Sequence, residues 1–301
     1  MRVGITGASG LIGTHLVDAL RERGDEVVRF VRPSTKPSGE KSIRWDPSRG
    51  LIDEGDLEHV GGFDAVIHLA GAGIGDKRWN KKRKAEILSS RVDSTNLLTA
   101  ALLTLKSGTP HLLSGSAIGF YGSRGDEVLS EQSTHGAGFL SEICTAWEAA
   151  TAPLEEGGAN VTHLRTGIVM TKFGGALKKQ LPFFAFGVGG KLASGEQWIS
   201  PISLVDEIRS ILWTLDQKIS GPVNLVCPSP CTNYELTKAL GKILNRTTLL
   251  PVPRFALEII LGTEMAHEVV LSSTKVLPDR LTESGFTFRQ NTISEIFKAA
   301  L

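Results

Sequence analysis

The stretch Ile5-Thr-Gly-Ala-Ser-Gly-Leu-Ile-Gly13 decides the fold of this chain, because it joins an apolar strand to an amphipathic helix through three glycines. Gly7 would permit a tight turn, Gly10 would let backbone N–H groups approach a pyrophosphate, and Gly13 would let the helix pack closely on the strand. The N-terminus of the helix also favours negative charge. The stretch predicts a dinucleotide-binding turn rather than a purely structural one. The predicted contact residues are Gly7, Ser9, Gly10, Leu11, Ile12 and Gly13.

Outward from this turn, short β-branched runs alternate with longer helical patterns over the first two thirds of the chain. The alternation predicts an α/β fold with a doubly wound, parallel, Rossmann-like sheet whose strands are joined by helical crossovers. Strands are predicted over residues 3–6, 26–31, 42–45, 65–69, 111–114, 161–164 with an extension to 170, and 223–226. Helices are predicted over residues 11–24, 81–105, 140–152, 204–215, 233–244 and 293–300.

The chain is expected to divide into two parts. Residues 1–226 would form the dinucleotide-binding domain, with a loop-rich insertion over residues 173–201, where glycine is dense and the helical periodicity is lost. Residues 227–301 contain several prolines, and we expect this segment to form a small C-terminal α/β subdomain on the substrate side. Ligands of such folds bind at the carboxyl ends of the strands, so the cleft between the two parts is the expected site.

Composition excludes several classes of partner. Lys and Arg (33 residues) nearly balance Asp and Glu (32 residues), so no global charge would attract nucleic acid or an anionic membrane. No apolar run reaches the ~18 residues of a membrane-spanning helix. The expected partner is a small-molecule substrate, and a homodimer is the one assembly left open.

The three cysteines are an odd number without a dense framework, which is typical of a reducing compartment. The chain begins at Met1 with a strand-like segment and shows no export signal, so a cytoplasmic location is expected. The spacing of Cys227 and Cys231 is wrong for a Cys-x-x-Cys half-site. No metal site is predicted.

The end of the second predicted strand indicates which dinucleotide binds. An acidic residue there would bond the ribose 2′-hydroxyl of NAD, whereas an arginine accommodates the 2′-phosphate of NADP. This position holds Arg32, with Arg29, Ser34 and Lys36 nearby and no competing carboxylate. The alternative is an ordinary solvated basic loop. The sequence predicts NADP(H).

Three further blocks carry a family resemblance: Asp64-Ala-Val-Ile-His-Leu-Ala-Gly71, Ser114-Gly-Ser-Ala-Ile-Gly-Phe-Tyr-Gly122 and Leu164-Arg-Thr-Gly-Ile-Val169. Together with the glycine turn they resemble, in order and spacing, the extended short-chain dehydrogenase/reductase family, which includes nucleotide-sugar epimerases. Shorter matches such as Arg44-Trp-Asp46 and Ala146-Trp-Glu-Ala149 are similar to its "epimerase family protein" branch, and the similarity covers essentially the whole chain.

The resemblance implies positions for residues beyond the turn. Leu69 and Ala70, followed by Gly71, would pass under the adenosine side of NADP(H), and Val169 would face the nicotinamide end. These residues are therefore candidates for cofactor contact.

Glu86 and Arg91 belong to a helix pattern, Glu86-x-x-x-Ser90-Arg91, that recurs in this branch. Arg91 stands where extended members of the family usually carry a structural asparagine. The resemblance therefore implies that both charged residues lie near the cofactor. An ordinary ion pair within the helix is the alternative.

In catalytic members of the family a Tyr-x-x-x-Lys motif follows the active-site serine, and its phenol carries the proton of the substrate hydroxyl. The serine here is Ser116, and the corresponding window, Phe139-Leu-Ser-Glu-Ile143, has neither tyrosine nor lysine. We therefore expect Ser116 to orient the substrate and another group to supply the proton, with Glu142 the first candidate. A literal match at Tyr234-Glu-Leu-Thr-Lys238 lies in a C-terminal helical pattern and is interpreted as coincidence.

Two functions remain open from the sequence. The first is an oxidoreductase or epimerase that uses NADP(H) on a small polyol or nucleotide-sugar-like substrate. The second is a protein that senses or sequesters NADP(H), or uses it structurally, without turnover. A phosphate-binding turn beside a missing tyrosine fits both, and they differ in whether bound cofactor changes its redox state with any metabolite.

Overall fold

The computed structural model describes residues 1–35 and 41–301. Its strands are β1 (Arg2–Thr6), β2 (Glu26–Val31), β3 (Ser42–Asp46), β4 (Leu51–Ile52), β5 (Ala65–His68), β6 (His111–Ala117), β7 (Val128–Leu129), β8 (Val161–Thr166), β9 (Ile168–Met170), β10 (Trp198–Ile199), β11 (Pro201–Ser203), β12 (Gly221–Leu225), β13 (Cys231–Thr232) and β14 (Lys275–Val276). Its helices are α1 (Leu11–Glu22), α2 (Glu54–Val60), α3 (Lys81–Leu103), α4 (Phe139–Ala149), α5 (Ala152–Glu156), α6 (Gly175–Ala185), α7 (Leu204–Asp216), α8 (Asn233–Leu244), α9 (Arg254–Leu261), α10 (Thr263–Met265), α11 (Asp279–Glu283) and α12 (Ile293–Ala300). Short 3₁₀ helices cover Pro47–Arg49 and Ile118–Tyr121, and a π-helical turn covers Ala266–Val270.

The main sheet contains eight strands in the order β12-β8-β6-β5-β1-β2-β3-β4. Neighbouring strands are parallel except β3 and β4, which pair antiparallel at one edge. The direction in which successive strands are added reverses between β1 and β5, so the crevice for a ligand is expected at the carboxyl ends of these two strands. The predicted doubly wound parallel sheet is confirmed.

The predicted strand that extends to residue 170 is wrong as one continuous strand. Gly167 separates β8 from β9, and β9 pairs with β11 outside the main sheet. A Cβ on Gly167 would lie 2.5 Å from the Ser200 carbonyl oxygen and 2.7 Å from the Val226 side chain. Only glycine lets the chain pass this close as it leaves the sheet.

The segment predicted as a loop-rich insertion contains α6, so that prediction is wrong for residues 175–185. Leu177 and Phe184 are buried, and their spacing of two helical turns is typical of one helix face. Flanking glycines and Pro182 inside the helix hid this period in the sequence. Phe183 and Phe186 remain 60% and 84% exposed.

Both faces of the sheet are covered by helices. α1 and α7 pack on one face around Ile5, Leu16 and Ile211, and α2, α3 and α5 pack on the other around Val66 and Leu102. Burial of these apolar side chains is the main favourable contribution to folding. The two cores fix β1 beside β5 and so determine the shape of the crevice between them.

The C-terminal part is attached to the sheet through several contacts. α8 and α12 pack together and against Phe184 of α6. Asp206, at the start of α7, accepts bonds from the backbone N–H groups of Arg289 and Gln290 at 3.0 and 2.9 Å. β14 pairs in parallel with β7. The domain boundary after residue 226 stays a prediction.

Glu207 on α7 provides a test of this packing. It is fully buried, and the Thr166 hydroxyl donates to its Oε1 at 2.9 Å. Burial raises the pKa of Glu207 from 4.5 to about 8. Between these values the folded state holds a proton that the unfolded state has released, so the stability contributed by Glu207 falls as the pH rises through this range.

Glu207→Gln removes this titration, because glutamine stays neutral. The urea midpoint of the variant, relative to that of the wild type, should therefore increase between about pH 5 and about pH 8. A constant difference between the two midpoints over this range would contradict the buried neutral carboxyl.

Candidate functional site

The turn between β1 and α1 has the geometry that its three glycines predict. Gly7 has a φ of +67°, and a Cβ on it would lie 2.7 Å from the Leu69 carbonyl, where the ends of β1 and β5 meet. A Cβ on Gly13 would lie 2.2 Å from the Gly7 carbonyl oxygen, so α1 packs on the turn only through glycine. A Cβ on Gly10 would meet only that oxygen, at 3.2 Å. Space beside Gly10 is therefore open to a ligand.

The N-terminus of α1 begins at this open space. Gly10 is its N-cap residue and makes no side-chain cap, and the first turn contains no acidic residue. The Gly10 N–H donates to the Gly7 carbonyl oxygen at 2.9 Å. N–H groups of the first helical turn thus remain for a ligand, and together with the helix dipole they favour a pyrophosphate.

The end of β5 is held beside the turn by Thr6. Its hydroxyl oxygen accepts from the backbone N–H groups of Leu69 at 3.1 Å and Ala70 at 3.2 Å, and it is also bonded to His68 Nδ1 at 2.7 Å. Burial lowers the pKa of His68 to about 3, so this histidine stays neutral within the core. The two residues predicted for the adenosine side therefore lie at the crevice next to Gly7.

Arg91 lies against the next residue of the same segment. A Cβ on Gly71 would be 3.2 Å from the Arg91 guanidinium carbon, and Arg91 Nη1 donates to the Ala72 carbonyl oxygen at 2.9 Å. Burial lowers the pKa of Arg91 to about 10, which leaves it charged at neutral pH. Glu86 pairs instead with Arg83, at 2.8 Å. The Glu86–Arg91 ion pair considered from the sequence is wrong, since residues at i and i+5 lie on different sides of a helix.

Val169 and α6 approach the turn from another direction. A Cβ on Gly175, the first residue of α6, would lie 3.4 Å from the Val169 carbonyl oxygen and 3.8 Å from the Leu11 side chain. Further along α6, Lys179 Nζ donates to the Gly75 carbonyl oxygen at 2.6 Å. α6 thus begins over the glycine turn and reaches the loop that follows β5. Gly175 thus lies next to both Val169, the residue predicted for the nicotinamide end, and Leu11, the first residue of α1.

Arg32 directly follows β2 and is exposed, as is Ser34. Within residues 1–35 and 41–301, no carboxylate pairs with the Arg32 guanidinium. Lys36, the remaining residue of the predicted basic group, lies outside the described residues. The position that distinguishes the two dinucleotides therefore presents an accessible cation, which suits a phosphate.

Ser116, near the end of β6, belongs to a buried polar cluster. Its hydroxyl donates to Glu148 Oε1 at 2.7 Å. Arg165 on β8 donates from Nε to Glu148 Oε1 and from Nη2 to Oε2, both at 2.8 Å. Ser116 and Arg165 are paired in the sheet register, so their side chains leave the same face. α4 thus places a carboxylate before the serine, and two charge-assisted bonds fix its orientation.

The cluster continues across the next strand. Arg165 Nη1 donates to the Tyr121 hydroxyl at 3.0 Å, and that hydroxyl donates to Asn224 Oδ1 at 2.7 Å. Burial raises the pKa of Tyr121 to about 12, so its phenol stays protonated. Glu148 and Arg165 belong to the sequence blocks that carry the family resemblance, but neither was predicted as a site residue. The available signal was an arginine inside the buried strand β8.

Helix α4 contacts Ser116 outside the predicted window. The residue of α4 that bonds Ser116 is Glu148, and Cys144 lies one turn before it among the buried residues of the helix. Burial raises the pKa of Cys144 to about 12, so the thiol is a weak acid. Phe139 instead packs against Trp79 in a small separate core, with ring centroids 5.0 Å apart.

Glu142 was the first candidate for the proton carrier, and the structure does not bring it to Ser116. It lies on the exposed face of α4, whereas Glu148 lies on the face that meets β6. A helix turns about 100° per residue, so two residues six positions apart point in different directions. The carboxylate at Ser116 is that of Glu148.

The literal Tyr-x-x-x-Lys match lies on α8. Tyr234 is 49% exposed, and Lys238 Nζ lies 5.5 Å from the centroid of its ring. The Tyr234 N–H donates to the Gly195 carbonyl oxygen. These contacts place Tyr234 at the surface, between α8 and the loop that contains Gly195, and none of them involves the Ser116 cluster.

No group of three or more His, Cys, Asp or Glu side chains among the described residues could hold a metal ion. The three cysteines are free thiols, all of them buried. Across the same part of the chain, none of the helices has both the length and the apolar character to cross a membrane.

Comparison with known proteins gives a consistent assignment. Residues 3–147 match the NAD dependent epimerase/dehydratase family, and residues 252–300 match a domain of unknown function (DUF1731). An epimerase family protein of Mycobacterium bovis is 40% identical over 294 residues, which cover 97% of this chain and 95% of the relative.

Two solved structures extend this comparison. The crystal structure of human epimerase family protein SDR39U1 with NADPH has a TM-score of 0.88 at 27% identity, and covers 100% of this chain and 99% of that chain. The nucleoside-diphosphate sugar epimerase from Corynebacterium glutamicum has a TM-score of 0.80 at 34% identity, and covers 100% of this chain and 58% of that chain.

Proposed function

The chain belongs to the NAD dependent epimerase/dehydratase family, within its epimerase family proteins, and from this premise we propose that it is an NADP(H)-dependent oxidoreductase or epimerase. The substrate class we propose is a small polyol or a nucleotide-sugar-like molecule, and the similarity to the nucleoside-diphosphate sugar epimerase from Corynebacterium glutamicum supports the second of these. The observation that carries the proposal is the 2.7 Å bond from Ser116 to a carboxylate that Arg165 holds in place.

The cofactor-binding residues are those of the crevice between β1 and β5. The first turn of α1 would hold the pyrophosphate, because a Cβ on Gly10 would meet only the Gly7 carbonyl oxygen, at 3.2 Å, and the helix end has no side-chain cap. Arg32 would pair with the 2′-phosphate. The NADPH bound to the human structure supports this choice of dinucleotide. When bound, the nicotinamide accepts or donates a hydride.

The chain's own residues would handle the proton. As the substrate hydroxyl gives its proton to Ser116 Oγ, the Ser116 proton passes to Glu148 along the existing bond, and the reverse transfer returns it. Arg165 keeps both carboxylate oxygens oriented and offsets the charge of Glu148 while it is ionised. Tyr121 and Asn224 in turn fix Arg165.

A second candidate function is NADP(H) binding without turnover. The start of α4 supports it: where catalytic members of the family carry tyrosine and lysine, this chain has Phe139, whose ring packs against Trp79, and Ile143, and neither side chain can carry a proton. Solvent-deuterium incorporation into a panel of nucleotide sugars and polyols, together with NADPH absorbance, distinguishes the two functions.

Under the proposed function, Glu148→Gln and Ser116→Ala should each lower deuterium incorporation by about 10²–10⁴-fold, because general acid–base help is lost. Glu142→Gln is the matched control and should retain wild-type rates, since Glu142 lies on the exposed face of α4. Incorporation that survives Glu148→Gln would contradict this proton path. Absence of turnover with every substrate, beside tight NADPH binding, would favour the second function.

Cofactor preference gives a separate prediction. NADPH should bind at least about tenfold more tightly than NADH, because a charge-assisted bond to the 2′-phosphate contributes ~1.4 kcal/mol or more. Arg32→Asp should erase or invert this ratio, whereas Arg124→Asp, which breaks an exposed pair with Glu127, should not. Fluorescence titration measures both affinities. Equal wild-type affinities would refute the NADP(H) assignment.

A further inference from the structure

The N-terminus of α4 is capped by a residue from the C-terminal part. Gly138 is the N-cap residue of α4 and makes no side-chain cap. Glu268 supplies the missing acceptors: its Oε1 accepts from the Phe139 N–H and its Oε2 from the Leu140 N–H, each at 2.8 Å. One carboxylate thus satisfies two N–H groups that have no partner within the helix.

Gly138 is suited to this contact in two ways. Its φ of +104° lies in a region that other residues rarely adopt. A Cβ there would also lie 2.9 Å from Glu268 Oε1, so a side chain would displace the carboxylate. Because Gly138 has no side chain, the Glu268 carboxylate has room to accept the bonds that an N-cap side chain would otherwise accept.

The surrounding segment contacts other parts of the site. Glu264 pairs with Lys84 in the first turn of α3, and Lys84 Nζ lies 4.3 Å from the centroid of the Phe139 ring. Glu268 itself lies in the π-helical turn Ala266–Val270, an irregularity frequently found at functional sites. Residues 262–270 therefore join the starts of α3 and α4.

We propose that Glu268 is a positioning residue, through which the domain of unknown function fixes the N-terminus of α4. The fixed helix then holds Glu148 against Ser116 and keeps Cys144 buried one turn before it. Glu268 acts through α4 and takes no proton from substrate. A carboxylate suits this role because its two oxygens accept both bonds and its charge is favoured at a helix N-terminus. Glutamine has one acceptor, and its amide group would face an N–H donor.

The buried cysteines provide the readout. Cys144 lies on the buried face of α4, whereas Cys227 and Cys231 lie in a different core cluster and report global opening. In Glu268→Gln, alkylation of Cys144 and amide hydrogen exchange at the start of α4 should both rise roughly tenfold, as expected for loss of a helix cap. Glu283→Gln, a matched change at an exposed site of the same domain, should leave both at wild-type values.

Two outcomes would overturn the proposal. One is that Cys144 and the amides at the start of α4 stay as protected in Glu268→Gln as in the wild type. A neutral side chain of the same shape would then fix the helix as well as the carboxylate does. The other is an equal rise in alkylation at all three cysteines, which would report a loss of global stability instead.

A double-mutant cycle tests the link with Gly138. Gly138→Ala should raise Cys144 alkylation in the wild-type background by displacing the carboxylate. In a Glu268→Ala background the same substitution should have a clearly smaller effect, because no carboxylate remains to be displaced. Equal effects in the two backgrounds would overturn the proposed fit between glycine and carboxylate.

Discussion

Gly10→Val should lower the affinity for NADPH by roughly a hundredfold or more while the chain keeps its fold. Gly10 has a φ of −78°, which valine adopts readily, and its added Cβ would meet only the Gly7 carbonyl oxygen at 3.2 Å. The remaining methyl groups would occupy the space needed by the pyrophosphate. Fluorescence titration with NADPH, beside thermal melting by circular dichroism, measures the two properties separately.

Gly13→Ala is the control for this experiment, because it should lower the stability of the fold, which Gly10→Val should leave intact. The new Cβ would lie 2.2 Å from the Gly7 carbonyl oxygen, which belongs to the backbone and cannot move aside cheaply. We expect the free energy of unfolding to fall by ~1–3 kcal/mol or more. A Gly10→Val protein that binds NADPH normally would refute the assignment of the turn.

Arg165→Met should lower the free energy of unfolding by about 3–5 kcal/mol. Arg165 is buried and makes two bonds to the buried carboxylate of Glu148, so its removal leaves a charge without a partner. Methionine preserves most of the side-chain volume and isolates the electrostatic effect. Urea denaturation measures the loss.

Two comparisons make this prediction specific. Arg124→Met breaks an exposed ion pair with Glu127 and should cost less than about 1 kcal/mol. Arg165→Met combined with Glu148→Leu should recover part of the lost stability, because neither charge then remains buried alone. A double variant whose loss equals the sum of the two single losses would show that the pair is not coupled.

Much of the fold could be predicted from local sequence signals. The glycine turn, the amphipathic stripe of α1 and the alternation of β-branched runs with helical patterns predicted a doubly wound sheet, and each signal depends only on neighbouring residues. The prediction failed where local signals conflict. Glycines on both sides and Pro182 hid α6, although burial of Leu177 and Phe184 stabilises it. Gly167 divided a predicted strand because of contacts with Ser200 and Val226, which are distant in sequence.

The candidate site was predicted in part. Ser116 was singled out from its block, and its catalytic role stays a prediction. Glu142, the candidate proton carrier, lies on the exposed face of α4, and the carboxylate that bonds Ser116 is that of Glu148. The sequence could not show this difference, because spacing along a chain shows which residues share a helix face but does not show which face meets the sheet. The phase is fixed by tertiary contacts at both ends of the helix, with Glu268 at its start and Arg165 near its end.

The sequence by itself determined the glycine turn, because the turn's requirements are those of local backbone geometry: a positive φ at Gly7 and no Cβ at Gly13, which lies against the Gly7 carbonyl oxygen. Only the tertiary structure decided the surroundings of Ser116. Its partners come from α4 and β8, and α4 is capped from more than a hundred residues away. Such contacts depend on how separate elements pack, since hydrogen bonds and ion pairs act over a few ångströms in space at any separation along the chain.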